Sequence, residues 1–273
     1  MKHLKNRNAI LTGASRGLGV HIAEALAKEG VNMVLAARSA GKLEKVCEDV
    51  RSFGVRAVSI PTDLTDPGQL EALVEKSEEK LGPIDILINN AGVEYSTPFE
   101  QFEPEKIRKT VELNLTAPML LTRSVLPGML ERGSGHIVNM SSLAGKIGFP
   151  CETPYAAVKS GLVKFTHSLR VELAGKSVGV SVICPGFVAG DGMYARMEKE
   201  SGPAPKMLIP TTTEKVADSV IKAIKKDSAE RIVNRLPMRP VLILQEMFPG
   251  IIPYLHRAFG TPEYGRKISE RGI

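Results

Sequence analysis

The chain has 273 residues, 43% of them apolar and 24% charged, which is enough for one large core in a single α/β unit. Cys47, Cys151 and Cys184 form no CxxC pair, and the five histidines stand apart from acids and cysteines, so neither a disulfide framework nor a metal site is expected. Only MKHLKNRN precedes the first apolar run, and no run nears the ~18 or more apolar residues of a membrane span, which predicts a cytoplasmic protein without a signal peptide.

In chain order, apolar runs of strand length fall at 9–11, 31–36, 55–60, 84–88, 136–140 and 178–183. Helical patterns alternate with them at 18–28, 42–53, 69–81, 107–130 and 155–173. The strands are almost continuously apolar, as in a parallel sheet covered on both faces. This alternation predicts one doubly wound α/β domain over 1–273, a Rossmann fold with ligands at the carboxyl ends of the strands. The segment at about 187–210 is rich in Gly, Met and Pro and reads as a mobile lid. A helix at 213–226 and a strand at 231–234 follow. The extension at about 236–273 is apolar and basic, and its prolines predict short, broken helices.

The segment ILTGASRGLG joins the first strand to the first helix. Gly13, Gly17 and Gly19 stand where a side chain would block a pyrophosphate, and the helix N-terminus favours the anion. A site built for NAD places an acid about 20 residues further on, to hold the ribose 2′-hydroxyl. Here the second strand ends in Ala37-Arg38. Arg38, with Arg16 from the glycine loop, suits a 2′-phosphate, which predicts NADP(H) as cofactor.

Ser142 follows the strand at 136–140, and Tyr155 and Lys159 are four residues apart on one helix face, roughly 40° from each other. Alone, such a Tyr/Lys pair is usually surface decoration. A tyrosine with a pKa of about 10 is a poor acid–base group at neutral pH, and a nearby ammonium is one route to lowering it.

Taken together, TGASRGLG at 12–19, Asp63, NNAG at 89–92, Asn114, the spacing of Ser142 to Tyr155-x-x-x-Lys159, and Pro185-Gly186 resemble the classical short-chain dehydrogenase/reductase family. The resemblance covers about the first 190 residues. It implies a hydride transfer between the nicotinamide and a carbonyl or alcohol, with Asn114, Ser142, Tyr155 and Lys159 as catalytic residues. Ser142 would bind the substrate oxygen, Tyr155 would exchange its proton, and Asn114 would hold a relay water. The implied cofactor site comprises Gly13, Ser15, Arg16, Gly17, Leu18, Gly19, Arg38, Asp63 and Leu64. Asn90, Ala91, Gly92, Tyr155, Lys159, Pro185, Gly186 and Val188 complete it, and Asn89 would join its floor. Asp63 would meet the adenine, and Lys159 the nicotinamide ribose. One departure is visible. The threonine that many members carry shortly after Pro-Gly is replaced by Ala189 and Gly190, and the next threonine is Thr211.

Val93, Tyr95, Leu143, Phe149, Cys151, Phe187, Met193, Tyr194 and Met197 are the expected pocket walls, with Glu94 and Glu152 as charged exceptions. Such walls favour a hydrophobic ketone, such as a 3-oxoacyl, steroid or other lipid carbonyl, over a sugar. The alternative is a catalytically silent NADP-binding sensor or scaffold. A homodimer or homotetramer is expected through the helices at 107–130 and 155–173, with Ala157, Leu162, Phe165 and Leu169 on the contact. Nucleic acid is not an expected partner. From Lys222 onward there are ten Lys/Arg against five Asp/Glu, +5 of the total +6. A solvated surface, an acidic substrate carrier or peripheral contact with an anionic membrane would each account for that balance.

Overall fold

A computed structural model describes residues 1–190, 194, 197–199, 202, 204–205 and 209–270. Met193 and the central part of the segment expected to be a lid lie outside them.

The main sheet has seven parallel strands in the order β3-β2-β1-β4-β5-β6-β9. They are β1 (Asn8–Thr12), β2 (Asn32–Ala37), β3 (Ala57–Pro61), β4 (Ile86–Asn89), β5 (Gly135–Met140), β6 (Val178–Pro185) and β9 (Glu230–Val233). Their inner members are buried along their whole length, which is why their sequences do not alternate. On one face lie α1 (Leu18–Lys28), α2 (Ala40–Arg51) and α7 (Thr213–Lys226). On the other lie α3 (Pro67–Leu81), α5 (Ala117–Glu131) and α6 (Thr153–Glu172). Strand order reverses between β1 and β4, so their carboxyl ends diverge and open the crevice where such sheets bind ligands.

The expected helix at 107–130 is divided. α4 (Pro104–Val111) runs into a π turn at Glu112–Thr116, and α5 follows. Pro118 has no N–H to give to the carbonyl of Asn114, and the Asn114 side chain donates to the carbonyl of Thr110 at 3.0 Å. Both loosen the regular ladder at that turn, a common site for a functional side chain.

A small ladder pairs β7 (Val188–Ala189) with β8 (Thr211–Thr212), at both ends of the expected lid. The C-terminal extension forms α8 (Arg239–Met247), α9 (Ile252–Ala258) and α10 (Thr261–Ser269). α10 packs Tyr264 and Ile268 against Met197, Phe149 and Phe187.

One part of the expected subunit face is corrected. Leu162 and Leu169 point into the chain's own interior, Phe165 is half-buried on the same core, and only Ala157 is exposed. The exposed large apolar side chains of this region are instead Val111, Leu120 and Leu130, with Val171 at the far end of α6.

Candidate active site

A cavity of about 1190 Å³ lies along the crevice. Its first end is the glycine loop. Gly13 has φ +66°, and a Cβ there would sit 2.8 Å from the backbone of Ala91. A Cβ on Gly19 would strike the carbonyl of Gly13. These two glycines are therefore required by the packing of the loop on its neighbours, besides leaving room for a phosphate. Thr12 Oγ1 accepts from the backbone N–H groups of Asn90 and Ala91, both at 3.0 Å, and Asn90 Nδ2 donates to the carbonyl of Thr12. The NNAG segment is thus tied to the end of β1.

All but one of the residues assigned to the cofactor from the sequence line this cavity, from Gly13 to Val188. Asn89 does not; its buried amide donates to Asn139 Oδ1 at 2.8 Å and locks β4 to β5. Arg16 and Arg38 are both exposed at the β2 end of the cavity, with Ser39, Lys42 and Thr62 also on its wall. Asp63 accepts from Thr65 N and Oγ1, and these bonds, helped by Arg38, hold its carboxyl below the usual range.

At the other end stand Ser142, Tyr155 and Lys159. Ser142 Oγ accepts from Ala144 N–H at 3.1 Å, which leaves its own proton for a further acceptor. Lys159 Nζ donates to the carbonyl of Met140 at 2.9 Å, and burial draws its ammonium down to about 8. The Tyr155 phenol is pushed well above its ordinary value by burial and then by Glu94 and Glu152, with the hydrogen bond to Ser142 opposing. Burial and the two acids thus keep the phenol in its protonated form at neutral pH while making it a weaker acid than an ordinary tyrosine. The expectation that Lys159 brings that pKa down is therefore outweighed by burial and the two acids.

Asn114 does not reach the cavity wall. Its Nδ2 donates to Val93 and Thr110, while Oδ1 is buried without a hydrogen-bond partner. A Cβ on Gly92 would lie 2.6 Å from that oxygen and 3.6 Å from Lys159 Nζ, so the missing side chain leaves a polar gap between the two.

Of the expected walls, Val93, Tyr95, Leu143, Phe149, Phe187, Tyr194 and Met197 line the cavity, whereas Cys151 does not. Val241, Leu255 and Phe259 from the C-terminal extension join them. Glu94 and Glu152 also line it; they share a hydrogen bond, and burial together with Glu94 lifts the Glu152 carboxyl well above the usual range. Thr213 was not singled out in the sequence. It lines the cavity beside Gly190, whose Cβ would lie 3.4 Å from Thr213 Cγ2.

A parallel sheet with a glycine loop at its switch point and a Ser-Tyr-Lys set on the same crevice defines a dinucleotide-dependent oxidoreductase. The chain belongs to the short-chain dehydrogenase family, whose model matches residues 7–201. It is 41% identical over 278 aligned positions to "Ketoacyl reductase HetN" of Nostoc sp., covering 100% of this chain and 96% of that one. It is 34% identical over 192 positions to a 3-oxoacyl-(acyl-carrier-protein) reductase of Synechocystis sp., covering 70% and 78%. A crystal structure of an actinorhodin polyketide ketoreductase variant with NADPH superposes with a TM-score of 0.79 at 31% identity, covering 87% and 98%. The protein is a reductase of this family that acts on carbonyl groups, and the family uses NAD(P)(H). No helix among the described residues is long and apolar enough to cross a membrane.

Proposed function

We propose that the protein reduces the ketone of a hydrophobic substrate, of the 3-oxoacyl or a similar lipid-carbonyl class, with NADPH. The observation that carries this reading is the cavity itself. It runs from the exposed pair Arg16 and Arg38 to Tyr155, and Phe149, Phe187, Met197 and Leu255 wall its substrate end.

The bound nicotinamide supplies a hydride. The chain's own residues place and protonate the carbonyl. Ser142 donates its free proton to the substrate oxygen, and Tyr155 delivers the proton that makes the alcohol. Lys159 holds positive charge beneath the phenol. Asn114 Oδ1, across the gap at Gly92, accepts from the water that returns a proton by way of Lys159. Arg16, Arg38 and Lys42 bind the 2′-phosphate, and Thr213 supplies the hydroxyl that Ala189 and Gly190 lack. The Glu94–Glu152 pair disfavours a substrate with a free carboxylate at that wall, because the two acids already hold a shared proton there and a further negative charge would be uncompensated. A catalytically silent sensor would have no need of this set. Subunits pair through α4 and α5 at Val111 and Leu120, which a dimer mass by light scattering would support.

The test is NADPH oxidation measured across a series of ketones of graded chain length, together with a keto-sugar acid. kcat/KM should rise with chain length. A flat series, or preference for the sugar acid, would refute the substrate assignment and leave the reductase assignment in place.

A further inference from the structure

The C-terminal extension has two apolar faces. Val241, Leu255 and Phe259 face the catalytic cavity, and Leu242 is buried. The other side of the same 19-residue stretch faces solvent with Ile243 (61% exposed), Met247 (65%), Phe248 (57%) and Tyr254 (70%). With Leu244, these are five of the twelve large exposed apolar side chains among the described residues, while Leu236 lies on the cavity wall. Isolated exposed apolar residues are ordinary, but a contiguous group on one short segment marks a contact surface.

Charge identifies what the surface contacts. Arg235, Arg239 and Arg257 are exposed on the same segment, and none forms an ion pair with a described residue. Glu246 is the one exposed acid among them. A second copy docked by a two-fold axis would set this patch against itself and bring its arginines together. Exposed Ile, Met, Phe and Tyr side chains beside unpaired arginines match a headgroup region with anionic phosphates and an apolar layer beneath it.

We propose that residues 235–257 form a peripheral docking surface for an anionic lipid bilayer, set on the segment whose inner face walls the catalytic cavity. A ketone dissolved in the bilayer then reaches the cavity beside the docked segment, and this last step rests on the hydrophobic-substrate reading.

The experiment is flotation of the full chain with phosphatidylcholine vesicles, with and without phosphatidylglycerol, at low and high salt. The wild type should float with the phosphatidylglycerol vesicles at low salt and fall by roughly tenfold or more at high salt, where charge attraction is screened. The triple variant Ile243→Ser, Met247→Ser, Phe248→Ser should stay unbound, and so should Arg235→Gln, Arg239→Gln, Arg257→Gln. Reduction of a short water-soluble ketone reports folding of both variants, since the altered side chains lie outside the cavity. The arginine variant changes only exposed cations, so it stays decisive if the serine variant fails to fold. Wild type that does not float at low salt, or an arginine variant that floats equally well, overturns the proposal. So does a sedimentation shift of the serine variant from a larger to a smaller species, which would assign the face to a second copy. None of these outcomes bears on reductase activity.

Discussion

Lys159 Nζ lies 5.5 Å from the centre of the Tyr155 ring while it donates to the Met140 carbonyl. The ammonium is therefore over the ring and inside a desolvated wall, with its pKa drawn down to about 8 by burial against the opposing pull of Glu94. The phenol beside it is raised instead of lowered. Lysine is charged below its pKa, so the positive charge under the phenol is present at pH 7 and is lost as pH rises through about 8. The kcat for ketone reduction should fall above that point, well before an ordinary tyrosine would titrate. A pH profile flat to pH 10 would contradict this.

Arg38→Ala should weaken NADPH by ~1.5–3 kcal/mol, roughly 10- to 150-fold, because a charge-assisted bond to the 2′-phosphate is removed. NADH, which lacks that phosphate, should change little. Adding Ala37→Asp should move the preference towards NADH. Wild-type enzyme with equal kcat/KM for both cofactors would exclude the assignment.

His136 is buried at 1% exposure in the middle of the sheet, and desolvation lowers its pKa from 6.5 to about 4 despite Asp227 at 4.0 Å. Its neutral ring bonds Ser181 Oγ at 2.8 Å. The unfolded chain binds this proton at 6.5 and the folded chain only near 4. The stabilisation is complete above 6.5 and is lost as pH falls towards 4, by roughly 3 kcal/mol in all. Denaturation of His136→Gln should show a shallower loss between those pH values. Parallel slopes for the two proteins would show that the ring titrates normally.

Glu152 carries the opposite sign. Its folded pKa is raised, so the folded state holds a proton that the unfolded chain has released above the ordinary carboxylate value of 4.5. Stability falls as pH rises from there. Glu152→Gln keeps the hydrogen-bonding shape without the charge, and its Tm should exceed that of wild type by a margin that grows between pH 5 and 8. A constant or shrinking margin would mean that Glu152 is ionised in the folded protein.

Elements set by local pattern were readable in the sequence. The strands are apolar runs, the glycine loop sits between a strand and a helix, and Tyr155 and Lys159 are one helical turn apart. What escaped depended on distant partners. The π turn needs Pro118 and the amide of Asn114 to act on the same ladder, which periodicity does not show. Glu94 and Glu152 are far apart in sequence and meet only because the ends of β4 and α6 border one crevice. Leu162 and Leu169 gave an apolar stripe on α6, but a stripe does not say whether the chain or a second subunit covers it. Thr213 reaches the cavity because β8 pairs with β7 and brings the start of α7 beside Gly190. Its signal was only a threonine run after an apparent lid.

Carbonyl reduction with Tyr155 as the proton donor is tested most directly by Tyr155→Phe, assayed by NADPH oxidation with a 3-oxoacyl thioester and by NADPH fluorescence titration. Removing a general acid costs about 10²–10⁴ in rate. The variant should lose kcat on that scale while its NADPH Kd stays within about twofold of wild type, because only the transferable proton has been taken away. A variant that keeps more than about a tenth of the wild-type kcat would contradict the role of Tyr155.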